Sequence, residues 1–516
     1  MYLTQGLHRA VQTTPNKIAT IYGDRTRTFV EHADRVARLA AGLHSLGVEE
    51  NDRVAILSLN SDRYNEYLLA VPWAGAAVNP VNIRWSPAEI IYSLNDSQTK
   101  VILVDDAFAP MIPALTANVP SLKAVVHCGD KELPEGAVSY EALVADNEPV
   151  EDAYRQGKDL AGVFYTGGTT GFPKGVMLSH ENMVTSALGT IASGELLGVG
   201  AVFLHAAPMF HLADLAAWAG QVVFGGTHVT VPFFEPTAVL GAVQKHQVTD
   251  ILLVPTMIQM LVDHPDVDQY DVSSMNRILY GGSVISEGVL KRTLAKFPGV
   301  RMTQAYGMTE VAPVGTLLLP DDHHDHYLRS AGKAALHTEI KVIDADGATV
   351  PVGEVGEVCI RGGNVMLGYW GKPEESAAVL RDGWMHTGDA GKLDEDGFLY
   401  IVDRIKDMIV TGGENVYSAE VENALSRHPA VAASAVIGIP HEKWGETVHA
   451  VVVLAPEATV TGDELKAYCQ ESIAGYKVPR SFEFVQELPV NGAGKILKRE
   501  LRAAHETETA GVSASS

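Results

Sequence analysis

Short, uninterrupted apolar runs recur through the first two-thirds of the chain, each separated from the next by a helix-length stretch. Val54–Leu57, Val101–Val104, Ile251–Val254 and Ile278–Tyr280 are the clearest. A strand with one wet face alternates apolar and polar residues, whereas a strand without polar positions is covered on both faces. The pattern therefore predicts parallel sheets with helices on either side, the α/β class. After about Ser330 the texture changes. Glu339–Ile343, Gly356–Arg361 and Phe398–Val402 are shorter runs joined by Gly and Asp turns, which predict a small β-subdomain.

A second break falls near Asp403. Beyond it, Ser418 is placed to cap a helix with Glu420 and Glu422 in its first turn, and His428-Pro429 ends that helix. Thr461 and Glu464 have capping-box spacing ahead of Leu465, Tyr468, Cys469 and Ile473, which share one helical face. Val431–Ile439 and Val448–Leu454 supply strands. The expected organisation is a large α/β domain over residues 1–402, a small α+β domain over 403–505 and a disordered tail over 506–516.

The 516-residue chain carries a formal net charge of −24. A surface that acidic repels nucleic-acid backbones and anionic lipid, so no nucleic-acid partner is expected, and anionic ligands need local positive contacts. Its three cysteines, Cys128, Cys359 and Cys469, lie far apart in no CxxC spacing. That excludes a disulfide framework and fits a reducing cytoplasm. No run approaches the ~18 apolar residues of a membrane span, and MYLTQGLHRA is no signal peptide.

The run Tyr165-Thr166-Gly167-Gly168-Thr169-Thr170-Gly171-Phe172-Pro173-Lys174-Gly175 follows the strand-like Leu160–Phe164. Packed glycines let backbone N–H groups point into one concavity; the threonines add hydroxyl donors and Lys174 a positive charge, a set suited to polyphosphate. It is not a Walker loop, since no Gly-Lys in the chain precedes Ser or Thr. Gln304-Ala305-Tyr306-Gly307-Met308-Thr309-Glu310 follows another strand-like run, Val300–Thr303. In α/β sheets ligands bind beyond the carboxyl ends of strands, which suits this position. Trp384-Met385-His386-Thr387-Gly388-Asp389, Asp403-Arg404-Ile405-Lys406-Asp407 and Asn491-Gly492-Ala493-Gly494-Lys495 complete the set.

In this order, from about Thr14 to Arg502, the motifs resemble those of the adenylate-forming superfamily: acyl-CoA synthetases, coumarate-type ligases, luciferases and peptide-synthetase adenylation domains. The resemblance is nearest to fatty-acid and feruloyl/coumaroyl-type acid–CoA ligases. It implies two doubly wound lobes in the large domain and a small domain that moves. It also implies ATP, Mg²⁺ and coenzyme A as ligands. Thr166, Gly167, Gly168, Thr169, Thr170, Gly171 and Lys174 would hold phosphates, although most members carry Ser at the place of Gly167. Tyr306 would stack on adenine, Thr309 bond phosphate, Glu310 hold Mg²⁺, Asp389 accept from the ribose and Arg404 contact the nucleotide. Lys495 would be the adenylation lysine, Lys406 the hinge, and Gly412, Gly413 and Glu414 part of the loop offered to the thioester step.

Met209-Phe210-His211 resembles the ligases that carry His beside the acyl pocket; amino-acid-activating members carry Asp there. His211 thus counts among the catalytic residues with Thr309, Glu310 and Lys495, and favours an acid without an α-amino group. His211, Trp218, Tyr280, Gly281, Gly282, Gly307 and Met308 are the expected acyl pocket; its small residues would admit a long or bulky acid, and a medium- or long-chain fatty acid is the first expectation. A feruloyl/coumaroyl-type or steroid-fragment acid is the alternative, and a nucleotide-binding sensor or scaffold the rival of another class. With no carrier segment after residue 502, coenzyme A is the expected acceptor. A homodimer is left open. Asp321-Asp322-His323-His324-Asp325-His326 lacks the spacing of a closed zinc site and is expected to be a solvated loop.

Overall fold

The structure is a computed structural model. It describes residues 1–166, 173–193, 197–282, 285, 287–324, 326–404, 407–411, 414–441, 443–490 and 496–513. The chain divides into two compact units, residues 1–340 with 360–385, and residues 341–359 with 386–516.

The first unit is built on an eight-stranded and a nine-stranded sheet. In the eight-stranded sheet, Arg53–Leu57 pairs in parallel with Ala77–Pro80 and Val101–Val104, and Ala77–Pro80 with Leu160–Thr166. Every residue of Arg53–Leu57 and Val101–Val104 is buried, as their apolar runs require. Leu160–Thr166 then pairs antiparallel with Lys174–Ser179. The nine-stranded sheet repeats this plan. Asp250–Leu253, Arg277–Gly281 and Arg301–Gly307 run parallel, and Arg301–Gly307 then turns into the antiparallel Val314–Leu318. Each sheet thus passes from parallel to antiparallel pairing at one of the two sequence motifs. The core of the nine-stranded lobe gathers Phe203, Leu204, Val239, Leu240, Ile251, Leu253, Ile278 and Leu290, all at 1% exposure or less.

The second unit has its own core, in which Ile409, Val421, Leu425, Val436, Val448, Ala450, Leu465 and Cys469 are buried. Val431–His441 and Gly445–Leu454 form a long antiparallel pair, and Ser481–Val485 joins Gly445–Leu454 in parallel. Trp384–Leu393, whose residues from His386 onward lie in this unit, pairs antiparallel with Leu399–Arg404. The helix Gly462–Gln470 starts at the predicted capping box: the Thr461 hydroxyl accepts from the Glu464 N–H, and the Glu464 carboxylate accepts from the Thr461 N–H.

Ser418 behaves differently from the sequence pattern. It is the first helical residue of Ser418–Leu425, with Tyr417 at the cap position. Its N–H and its hydroxyl both donate to Asp403 Oδ2, at 2.5 and 2.6 Å. The acceptor for this helix start therefore comes from fifteen residues upstream, and a carboxylate there also suits the helix dipole. The C-terminal helix spans Lys498–Ser513 and continues past residue 505.

Candidate active site

The phosphate-loop motif falls in the sequence between two antiparallel strands. Thr166 is the last residue of one strand and Lys174 the first of the next, and the two are register partners. Gly167, Gly168, Thr169, Thr170 and Gly171 lie outside the described residues, as do Lys406, Gly412, Gly413 and Lys495. The Lys174 ammonium pairs with Glu375 at 2.5 Å and sits 5.1 Å from the centre of the Tyr369 ring. Lys174 in turn holds the exposed Glu375 carboxyl below its ordinary range.

The second motif closes the strand Arg301–Gly307. Tyr306 and Thr309 are half-buried, and Glu310 is buried in the short 3-10 turn Thr309–Val311. The Tyr369 hydroxyl donates to Glu310 Oε1 at 2.9 Å, and the Glu310 carbonyl accepts from the Met366 N–H at 2.9 Å. Gly368–Tyr369 pairs antiparallel with the strand that begins at Lys174, and the Trp370 N–H donates to the Gly175 carbonyl at 2.7 Å. One segment, residues 366–370, thereby ties the turn bearing Glu310 to the hairpin bearing Lys174. Tyr369 touches both charged groups, with its ring on the cation and its hydroxyl on the carboxylate.

Tyr369 is the residue that the motifs miss. Its partners lie far off in sequence, Glu310 by 59 positions; the only local signal is an aromatic pair after Gly368. A hydrogen bond to a charged group contributes about 1.5–3 kcal/mol. We expect Tyr369→Phe to lower the turnover of adenylate formation about tenfold while the ring, and so the contact with Lys174, remains. Pyrophosphate release beside a thermal melt tests this: loss of turnover at unchanged Tm is the expected result, and wild-type turnover would discount the contact.

His211 precedes the helix Leu212–Phe224 and is half-buried. The turn before it is held by Asn60, whose amide donates to the Ala207 carbonyl and whose carbonyl accepts from the Met209 N–H, each at 2.8 Å. In the helix's first turn Asp214 bonds His205 at 2.7 Å, and His205 bonds His228 at 2.9 Å. Burial, with His205 beside it, keeps His228 well below the ordinary histidine range. This buried chain joins the start of the helix to strands Val202–His205 and Thr227–Thr230. Trp218 lies two turns along from His211 and is 1% exposed. Its indole N–H has no hydrogen-bond partner among the described residues.

The expected pocket glycines divide into two kinds. A Cβ on Gly281 would meet the Ala305 carbonyl at 2.3 Å, and one on Gly307 would meet the Pro313 carbonyl at 1.9 Å. Their missing side chains make room for neighbouring backbone. Among the described residues a Cβ on Gly282, at φ +79°, would meet only Val254, at 3.8 Å. Tyr280 is fully buried, and its hydroxyl bonds His323 Nε2 at 2.9 Å. That contact draws His323 out of the predicted solvated loop. Met308 is half-buried ahead of the 3-10 turn.

In the second unit, Asp389 and Arg404 are register partners on adjacent strands, with Arg404 Nε 2.7 Å from Asp389 Oδ1. Asp389 is buried, and its N–H donates to the Thr387 hydroxyl at 3.1 Å. Gly388 takes φ +69°, a conformation that favours glycine, and its N–H donates to Glu357 at 3.1 Å. Glu414 opens the strand Glu414–Val416 and is the register partner of Thr411.

The model of the AMP-binding enzyme family matches residues 7–370, and that of the AMP-binding enzyme C-terminal domain matches residues 420–495. The chain belongs to the AMP-binding enzyme family. It is 41% identical over 495 residues to a feruloyl-CoA synthase of Amycolatopsis sp, covering 96% of this chain and 97% of that one. It is 35% identical over 507 residues to the medium/long-chain-fatty-acid–CoA ligase FadD8 of Mycobacterium tuberculosis, covering 96% and 88%. Its fold superimposes on o-succinylbenzoate CoA synthetase from Bacillus subtilis in complex with an acyl-adenylate intermediate, with TM-score 0.85 and 33% identity, covering 96% and 97%. The chain is therefore an AMP-forming acid–CoA ligase that uses ATP and CoA. Among the described residues no helix of the ligase is long and apolar enough to cross a membrane.

Proposed function

We propose that this ligase activates an oxygen-bearing aromatic acid of the hydroxycinnamate type. The observation that carries the reading is Trp218. A buried N–H without an acceptor costs about 1–3 kcal/mol, so an oxygen on the bound acid would be its natural partner. A saturated fatty acid offers no oxygen beyond its carboxylate. The 41% identity to a feruloyl-CoA synthase, against 35% to the fatty-acid ligase, supports the same class. A medium- or long-chain fatty acid is the second reading, supported by the 35% identity to the medium/long-chain-fatty-acid–CoA ligase.

A carboxylate is a poor electrophile because its leaving group would be oxide. Its attack on the α-phosphate of ATP forms the acyl-adenylate, releases pyrophosphate and makes AMP the next leaving group. CoA thiol then attacks the carbonyl, giving the thioester and AMP. We assign charge compensation in the first step to Lys174, Arg404 and Lys495, phosphate contacts to Thr166, Gly167, Gly168, Thr169, Thr170, Gly171 and Thr309, adenine stacking to Tyr306, and ribose hydroxyls to Asp389. His211 borders the acyl group, with Met308 and the Gly307 backbone beside it. Glu310, a buried oxygen donor fixed by Tyr369, fits a hard cation such as Mg²⁺. That ion, when bound, supplies positive charge to the phosphates. We further propose that the domain from residue 403 onward turns about Lys406 between the two steps, presenting Gly412, Gly413 and Glu414 for the second. A cytoplasmic location is consistent with Cys128, Cys359 and Cys469 forming no disulfide.

Pyrophosphate release with ATP, Mg²⁺ and CoA, across ferulate, coumarate, cinnamate, benzoate, octanoate and palmitate, tests the substrate. Ferulate or coumarate should lead, and Trp218→Phe should cut their kcat/KM about tenfold while leaving cinnamate unchanged. Preference for octanoate or palmitate would overturn the aromatic reading in favour of the second.

A further inference from the structure

We propose that His449, Glu483 and His505 form a binding site for a divalent transition-metal ion, Zn²⁺ being the best match, on the C-terminal unit. The three residues come from three elements, the strands Gly445–Leu454 and Ser481–Val485 and the helix Lys498–Ser513. Parallel pairing sets His449 opposite Ser481 and Val451 opposite Glu483. With a side-chain period of two, His449 and Glu483 therefore share a face.

His449 is the observation that points to a ligand. Its side chain is 5% exposed, and its Nδ1 lies 2.7 Å from the Ser481 hydroxyl. Its Nε2 is buried with no hydrogen-bond partner among the described residues and faces Glu483 Oε2 at 3.9 Å. A buried lone pair left over is less costly than a buried N–H left over, so the favoured tautomer donates Nδ1–H to Ser481 and leaves Nε2 as a base. A neighbour that fixes one ring nitrogen while the other faces the site is the usual support of a metal-bound histidine.

The other two donors complete the set. His505 Nε2 lies 3.1 Å from Glu483 Oε2, and the two imidazole rings stand edge to face with centroids 4.3 Å apart. One ligand atom from each residue falls within 4.8 Å of the others. Tetrahedral Zn²⁺ with bonds of ~2.0–2.2 Å needs donors roughly 3.3–3.5 Å apart, which the 3.1 and 3.9 Å separations bracket. Two imidazoles and one carboxylate suit Zn²⁺, Co²⁺ or Ni²⁺ better than Mg²⁺ or Ca²⁺. Glu483 is 46% exposed, which leaves the fourth position open to water.

A second cluster, Glu357, Cys359 and His386, has a comparable span. There, however, His386 Nδ1 already bonds Glu357 at 2.9 Å, and Glu357 accepts from the Gly388 N–H at 3.1 Å. These groups are satisfied by one another, and a thiolate ligand would give that cluster a different spectrum.

The test is a Co²⁺ titration of the full, untagged, metal-stripped chain without nucleotide. One equivalent should bind with a visible ligand-field band and no thiolate charge-transfer band. His505→Ala and Glu483→Gln should each weaken binding by at least about tenfold, while Cys359→Ser leaves it unchanged. Zn²⁺ should raise Tm in the wild type and not in His505→Ala, whose metal-free Tm and Mg²⁺-supported pyrophosphate release should match wild type. Absence of a one-equivalent phase, a thiolate band lost in Cys359→Ser, or wild-type affinity in His505→Ala or Glu483→Gln would each overturn the proposal.

Discussion

Glu310→Gln should lower pyrophosphate release by about 10²–10³ while leaving the fold intact. The substitution is chosen for what it keeps. Gln has the same shape, and its carbonyl can still accept from the Tyr369 hydroxyl that reaches Glu310 at 2.9 Å. The 3-10 turn is also held through its backbone, by the Met366 N–H on the Glu310 carbonyl. What is lost is one negative charge on a buried oxygen, and with it the hard ligand that the proposed chemistry requires. Single-turnover formation of acyl-adenylate at saturating Mg²⁺ and ATP should carry the whole defect. A thermal melt should shift little. Extra Mg²⁺ should restore only part of the rate, because the defect lies in the transition state as well as in binding. A variant within threefold of wild type would remove Glu310 from the reaction and leave it as a structural partner of Tyr369.

The legible and illegible parts of this molecule divide by physical range. Arg53–Leu57 and Val101–Val104 were readable because burial on both faces writes itself into consecutive residues. The helix start at Thr461 was readable because both partners of a capping box lie within four residues. Ser418 has a cap-type side chain with Glu420 and Glu422 just after it, yet its helix is held by Asp403, and nothing near Ser418 announces a carboxylate fifteen positions back. Gly281 and Gly307 were open to two meanings, since absence of a side chain reads alike whether a substrate or a neighbouring carbonyl fills the space; for both, backbone is what a Cβ would strike. Tyr369, Asn60 and the His205–Asp214–His228 chain leave almost no trace in sequence, because hydroxyls, amides and imidazoles are common and only the fold brings these together. The motifs supplied the groups that resemblance assigns to substrate; the fold supplied those that hold such groups still.

Lys495→Ala should separate the two half-reactions. Two anions, a carboxylate and the α-phosphate, must approach for adenylate to form, and the proposed role of Lys495 is to offset their charge only then. Removing one such contact costs about 10²–10³ in rate. Thioester formation has a neutral thioester as product and AMP as leaving group, and in the two-pose scheme Lys495 is withdrawn while Gly412, Gly413 and Glu414 serve that step. The variant given acid, ATP and CoA should therefore stall before pyrophosphate release. The same variant given synthetic acyl-adenylate and CoA should make thioester within about threefold of wild type, a margin well inside the 1.4 kcal/mol that marks a tenfold effect. Gly413→Trp is the mirror experiment, because bulk between Thr411 and Glu414 should slow thioester formation and spare adenylate. Equal loss of both half-reactions in Lys495→Ala would mean that one arrangement of the domains serves the whole reaction. In that case Lys406 would have no hinge to provide, and the boundary at residue 403 would be a linker and no more.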